Sequence, residues 1–174
     1  MNDTLKELKN SLWEQFGASI DMLINALDAC QEQLYRSNKR FFYTSYHVAV
    51  FLDYYLTVPP DDFDPQLPFT ITVKEDMPEG SLDDVLPDRH YTKAQLLGYI
   101  KTSREKCHKL VLGIKEHGNP RFIEDVEVGK MNYSLIEILL YNMRHVQHHV
   151  AQLNTLLRDH GVTPPKWVAR TTNE

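Results

Sequence analysis

Residues 134–160 read SLIEILLYNMRHVQHHVAQLNTLLRDH. Ser134 and Glu137 form a capping box at the start of this stretch, and Gly161 followed by Pro164-Pro165 ends it, so the segment predicts one long helix. One stripe of that helix, Leu135, Leu139, Val146, Val150, Leu153 and Leu157, is wholly apolar. The neighbouring stripe, Ile138, Asn142, His145, His149, Gln152 and Leu156, keeps core spacing but turns polar at its centre. Together the stripes are wide enough to face a helical interior, which is expected to enclose Asn142, His145, His149 and Gln152 or place them along an internal cavity. An unpartnered buried polar group costs roughly 1–3 kcal/mol. Four of them would consume much of a domain's typical net stability of about 5–15 kcal/mol. The pattern therefore demands something that satisfies these side chains.

Working outward, Leu5, Leu8, Leu12, Phe16, Ile20, Leu23, Leu27, Cys30 and Leu34 recur at alternating spacings of three and four. They predict a first helix from about 3 to about 35. Tyr43, His47, Val50, Phe51 and Tyr54 mark a second, from about 40 to 56, which stops before Pro59-Pro60. Residues 57–91 then change to Pro, Asp and Gly, with FTITVK as the one strand-like patch, and this long link is expected to hold short elements or cover part of a pocket. Thr92 and Gln95 make a second capping box for a third helix, whose stripe is Leu96, Ile100, Ser103, Cys107, Leu110 and Ile114 and whose end is Gly118-Asn119-Pro120. FIEDVEV, at 122–128, reads as a brief extended piece before the fourth helix. The expected class is all-α: a four-helix bundle in one domain, 1–174, built as two hairpins joined by the 57–91 crossover, with a C-terminal tail from 161 to 174.

The chemistry lies on the fourth helix. Two histidines at i and i+4 lie one above the other, so His145 and His149 can converge on one ion at about 2.0–2.1 Å. A third ligand has to come from another helix, and His47 stands on an apolar stripe of the second. A single histidine on such a stripe is more often a core residue, but opposite a His-x-x-x-His pair it completes a triad. Three neutral imidazoles leave an open coordination position, as catalytic rather than structural sites do. His145 with His148, at i and i+3, is an alternative pair; His148 points off the polar stripe, which suits a surface or supporting role. Asn142 and Gln152 are expected to orient a ligand or the histidines. Tyr43 and Tyr54 are candidates for the pocket wall or for core packing. No residue is assigned a catalytic role beyond metal binding.

Composition narrows the classes. The 174 residues are 42% hydrophobic and 25% charged, with a net charge of -5, which argues against a broad nucleic-acid surface. No apolar run is long enough for a membrane span, and the charged amphipathic start MNDTLKELKNSLWEQF does not read as a signal peptide, so a cytoplasmic location is expected. Cys30 and Cys107 are too few for a disulfide framework or a cysteine zinc site, and both stand at core-spaced positions. A di-iron bundle would need two Glu-x-x-His motifs, and the chain has one, Glu105 to His108. No His-Glu-x-x-His, phosphate loop or nucleophile elbow is present.

With one histidine in the second helix and HVQHHVAQL at 145–153, the chain resembles the DinB/YfiT superfamily of metal-binding four-helix proteins. His145, His149, Gln152 and Leu153 stand at that family's motif positions, and His47 matches its second-helix ligand. Val150-Ala151 departs from the Arg-Gly common after the second ligand, a change that leaves the ligands alone and alters the surrounding packing. The resemblance implies an up-down-down-up bundle, often a homodimer, holding zinc, nickel or another divalent ion; imidazole alone does not choose the metal. It also implies a metal-dependent enzyme, foremost a transferase using a small thiol. The alternatives are a metal-dependent hydrolase and a non-enzymatic stress-response binding protein with a structural or vestigial metal. The tail, with Trp167, is expected either to meet a partner subunit or to cap its own bundle.

Overall fold

The computed structural model describes residues 3–126 and 129–172. It is mostly helical: α1 (Asp3–Ala29), α2 (Glu32–Ser37), α3 (Lys39–Tyr55), α4 (Lys93–Leu112) and α5 (Leu135–Asp159). Leu23, Leu27, Val48, Ile100, Val146 and Val150, drawn from the four long helices, are fully or almost fully buried in one cluster. Both capping boxes form as read, with Gln95 N–H donating to the Thr92 hydroxyl and Glu137 N–H to that of Ser134. Gly161, at φ +74°, takes the left-handed conformation that ends α5.

Three expectations change. The all-α class gives way to a mostly helical chain with two small antiparallel sheets. In the crossover, β1 (Phe69–Ile71) pairs with β2 (Val85–Pro87), Phe69 opposite Pro87. Between α4 and α5, β3 (Arg121–Val126) pairs with β4 (Gly129–Ser134), so FIEDVEV opens a two-stranded hairpin rather than standing as a lone extended piece; Glu127 and Val128 of that stretch lie outside the described residues.

The first helix also does not run to residue 35. It ends at Ala29, where Lys93 Nζ donates to the Cys30 and Asp28 carbonyls (2.8 and 3.5 Å), and α2 restarts two residues on. The restart turns Tyr35 fully inward, its hydroxyl donating to Tyr91 O at 2.8 Å, while Leu34 is only half-buried. So short an interruption hardly disturbs the apolar periodicity, which is why the periodicity conceals it.

Third, α1 packs on α4 and α5, and α3 packs on the same two. The expected hairpin partners, α1 with α3 and α4 with α5, are not among the closely packed pairs. The links between them are not tight turns, since one holds α2 and the other the β3–β4 hairpin.

The crossover is held against α3. Tyr46 donates to Leu67 O and Pro68 O, each at 2.9 Å, and stacks on Tyr91 at 5.7 Å. The tail, described through residue 172, docks on α1: Thr171 N donates to Glu14 O, and the Thr171 hydroxyl donates to Asp21 while accepting from Arg104. Gly17 makes room for it, since a Cβ there would stand 2.4 Å from Thr171 Cγ2. Alanine in mid-helix is otherwise favoured over glycine by about 0.5–1 kcal/mol. Gly17→Ala is therefore expected to destabilise the full chain by roughly 1–2 kcal/mol, on the scale of overpacking, and to stabilise a chain ending at Val168. Thermal unfolding of the four proteins checks this, and the same sign in both lengths would refute the docking account.

Candidate metal centre

Packing of α3 on α5 brings His47 against His145 and His149. His47 Nε2 lies 3.0 Å from His145 Nε2, which lies 3.1 Å from His149 Nε2, and the three candidate ligand atoms all fall within 4.8 Å of one another. Tetrahedral ligands at about 2.0–2.1 Å from an ion stand roughly 3.3 Å apart, so the cluster needs only a small expansion to hold one. Without an ion the contacts are frustrated. An imidazole nitrogen offers one in-plane site, a proton or a lone pair, yet His145 Nε2 faces two other ring nitrogens. A cation at the centre would be met by three lone pairs.

The surroundings favour that arrangement of protons. Gln152 Oε1 lies 2.8 Å from His149 Nδ1 and accepts its proton, which leaves His149 Nε2 bare; the Gln152 amide nitrogen reaches His148 Nε2 at 3.0 Å. Asp83 Oδ2, from the crossover, lies 2.8 Å from His47 Nδ1. The oxygen is off the line of the ring N–H, so Nδ1 has a close carboxylate but no formed hydrogen bond. His145 Nδ1 is buried without any partner among the described residues. Burial, helped by His149, His47 and His148, pushes His145 down to about 3. Burial and then His47 push His149 down to about 4, against the opposing effect of the Gln152 hydrogen bond. Both are neutral near pH 7, the form that ligates a metal.

Asn142 is fully buried and donates to Leu52 O at 2.9 Å, joining α5 to the last turns of α3; its Oδ1 has no partner among the described residues. Asn142 thus ties helices together rather than orienting a histidine. His148 is exposed; it meets the triad edge-on at the His149 ring, 5.1 Å away, and through Gln152. The two tyrosines go elsewhere. Tyr43 packs on Phe42 beside Lys39 and Pro78, and Tyr54 lies against Phe63 and Phe122. The rings beside the histidines are instead Phe51, 4.6 Å from His47, and Tyr55, edge-on to His145 at 5.7 Å. Phe51 was visible on the His47 stripe. Tyr55 gave no signal beyond its helix, and Asp83 none at all, being 36 residues from His47 in a loop.

His90 stacks on Phe42 and His108 on Trp13, while Cys30 and Cys107 are buried free thiols, each raised above its ordinary pKa by burial. No helix among the described residues is long and apolar enough to cross a membrane.

The sequence model of the DinB family matches residues 86–174, half of the chain. The match takes in His145 and His149 and stops short of His47. No curated protein matches the chain.

Proposed function

The chain belongs to the DinB family, and we propose that it is a divalent-metal protein in which His47, His145 and His149 hold one ion, zinc or nickel, with a coordination position left open for substrate. The observation that carries this reading is the meeting of three imidazole Nε2 atoms across α3 and α5, at spacings close to those of a tetrahedral ligand set. The finer fold reading, an up-down-down-up bundle, is part of the proposal and fits the packing of α1 and α3 on α4 and α5.

A bound divalent ion would supply Lewis acidity, lowering the pKa of a thiol or water at the open position. The chain's own residues do the rest. Gln152 keeps the His149 proton on Nδ1, Asp83 favours the same tautomer at His47, and Phe51 and Tyr55 keep bulk water from the imidazoles on one side. We assign the activity to transfer of a group onto a small thiol, in a reducing cytoplasm to which two unpaired buried cysteines are suited. A homodimer completes the proposal; Trp167, 69% exposed on the docked tail, offers a large apolar side chain to a second copy.

The test is turnover by untagged, metal-loaded protein, with thiol-acceptor and ester or amide substrates assayed side by side. Thiol-dependent turnover is expected, and His149→Ala should abolish it. Turnover without a thiol would replace the transferase by the hydrolase. No turnover of either kind, with metal bound, would leave a binding protein.

A further inference from the structure

We infer that Asp83 is a positioning residue of the metal centre, and that docking of the crossover onto α3 and binding of a divalent cation reinforce one another. The inference rests on the reading that the three histidines hold an ion.

Asp83 lies just before β2, in a segment tied down on both sides. Upstream, Arg40 of α3 donates to the Ser81 and Gly80 carbonyls at 3.0 and 3.4 Å. Gly80 sits at φ +92°, and a Cβ there would come within 3.0 Å of Arg40 N, so only glycine lets the loop approach α3 this closely. Downstream, the Asp83 carboxylate itself fixes the turn, its Oδ1 accepting from Val85 N at 3.2 Å. That leaves Oδ2 aimed at His47 Nδ1, 2.8 Å away, with the Asp83 side chain 29% exposed and that of His47 13%. Of the neighbouring crossover acids, Asp88 accepts from Tyr91, and Asp84 is exposed.

A carboxylate beside Nδ1 holds the proton there and turns the Nε2 lone pair toward His145 and His149. A cation on Nε2 would draw electron density out of the ring and make the Nδ1 proton a stronger donor, which strengthens its attraction to Asp83. The off-line contact seen here has room to improve in this way. Because Asp83 belongs to the crossover and His47 to α3, whatever Asp83 adds to metal affinity the metal must return, by the same factor, to crossover docking.

The experiment uses the full, untagged chain. Zinc affinity is measured by chelator competition for the parent, Asp83→Asn, Asp83→Ala and the control Asp84→Asn. Visible absorption of the cobalt(II) forms reports the ligand field, and trypsin cleavage after Lys74 with and without zinc reports crossover docking. Asp83→Ala should weaken zinc about 10–100-fold, the usual effect of losing a partner behind a ligand histidine, and should alter the cobalt spectrum. Zinc should slow cleavage severalfold in the parent and much less in Asp83→Ala, with Asp84→Asn behaving as the parent. Asp83→Asn retains an acceptor for Val85 N, so it keeps the turn if the alanine variant folds poorly, and it too should lose affinity.

Zinc affinity and cobalt spectrum unchanged in both Asp83 variants would overturn the positioning role while leaving the three-histidine reading intact. Equal zinc protection in parent and Asp83→Ala would overturn the linkage. Failure of the parent to bind either metal would overturn the reading of the histidines, and this inference with it.

Discussion

His145→Leu is expected to abolish stoichiometric metal binding and, in metal-free protein, to raise stability. His145 Nε2 is the atom that touches both other ligand nitrogens, so its loss breaks the cluster at its centre. The fall in zinc affinity should exceed the 10–100-fold typical of a lost supporting partner. In the absence of metal the same imidazole is a burden: its Nδ1 is buried with no partner among the described residues, and its Nε2 faces two nitrogens that cannot both be satisfied. Removing one unsatisfied group recovers roughly 1–3 kcal/mol. Against that stand the ring contacts with Tyr55 and Phe51, about 0.5–1.5 kcal/mol for each aromatic pair, a loss partly offset by relief of the crowded Nε2. A net gain near 1 kcal/mol follows, or a Tm higher by about 2–4 °C in a chain of this length. Zinc reverses the order, since a hundredfold excess over Kd stabilises the parent by about 2.7 kcal/mol and leaves the variant unmoved. Elemental analysis and unfolding curves in chelator and in zinc check both halves. An unchanged metal content, or a variant less stable than the parent in both conditions, would refute the account.

The centre was legible where chemistry and helical period coincide. His145 and His149 interrupt an apolar stripe on α5, and a polar interruption of a core is costly enough to require a cause. His47 could be paired with them only by supposing that its helix packs on α5, which it does. The starts of α4 and α5 were equally plain, because a capping box is a local device written within four residues; Thr92 with Gln95 and Ser134 with Glu137 both form.

What escaped depends on long-range closure. Asp83 reaches His47 only because Tyr46, Arg40 and Gly80 fold the crossover back onto α3. FTITVK looked like a strand, but its partner is three residues ending in Pro87, too short to announce itself. Tyr43 and Tyr54 share a face with His47 by spacing, yet Tyr43 packs on Phe42 of its own helix, and Phe63 of the crossover with Phe122 of β3 draws Tyr54 aside. Docking of Thr171 on Gly17 is likewise a meeting of distant residues that no local pattern encodes.

Asp53→Ala should be among the most destabilising single changes, although it touches no histidine. Asp53, on α3 and 8% exposed, accepts from the Tyr99 hydroxyl at 2.6 Å and from Lys106 Nζ at 2.5 Å; the same amine donates to the Thr57 hydroxyl at 2.6 Å. This network fastens α3 to α4, while Asn142 fastens α3 to α5 one residue earlier, at Leu52. Truncation leaves the buried Tyr99 phenol without an acceptor and Lys106 without its counter-ion. Breaking a fully buried pair costs about 3–5 kcal/mol. The Lys106 side chain is 37% exposed and turns to water when released, so about 2–3 kcal/mol is the reasonable expectation. At roughly 2–4 °C per kcal/mol, Tm falls by about 4–12 °C. Tyr99→Phe, which leaves the Asp53–Lys106 contact in place, should cost only about 1 kcal/mol. Converting all three groups to apolar residues, Asp53→Leu with Tyr99→Phe and Lys106→Met, removes the orphaned partners together and should recover most of the loss. Because α3 would again be held against α4 with its histidine untouched, zinc affinity of the triple variant should match the parent's. A triple variant no more stable than Asp53→Ala would show that the network is valued for its geometry, and that the position of His47 depends on it.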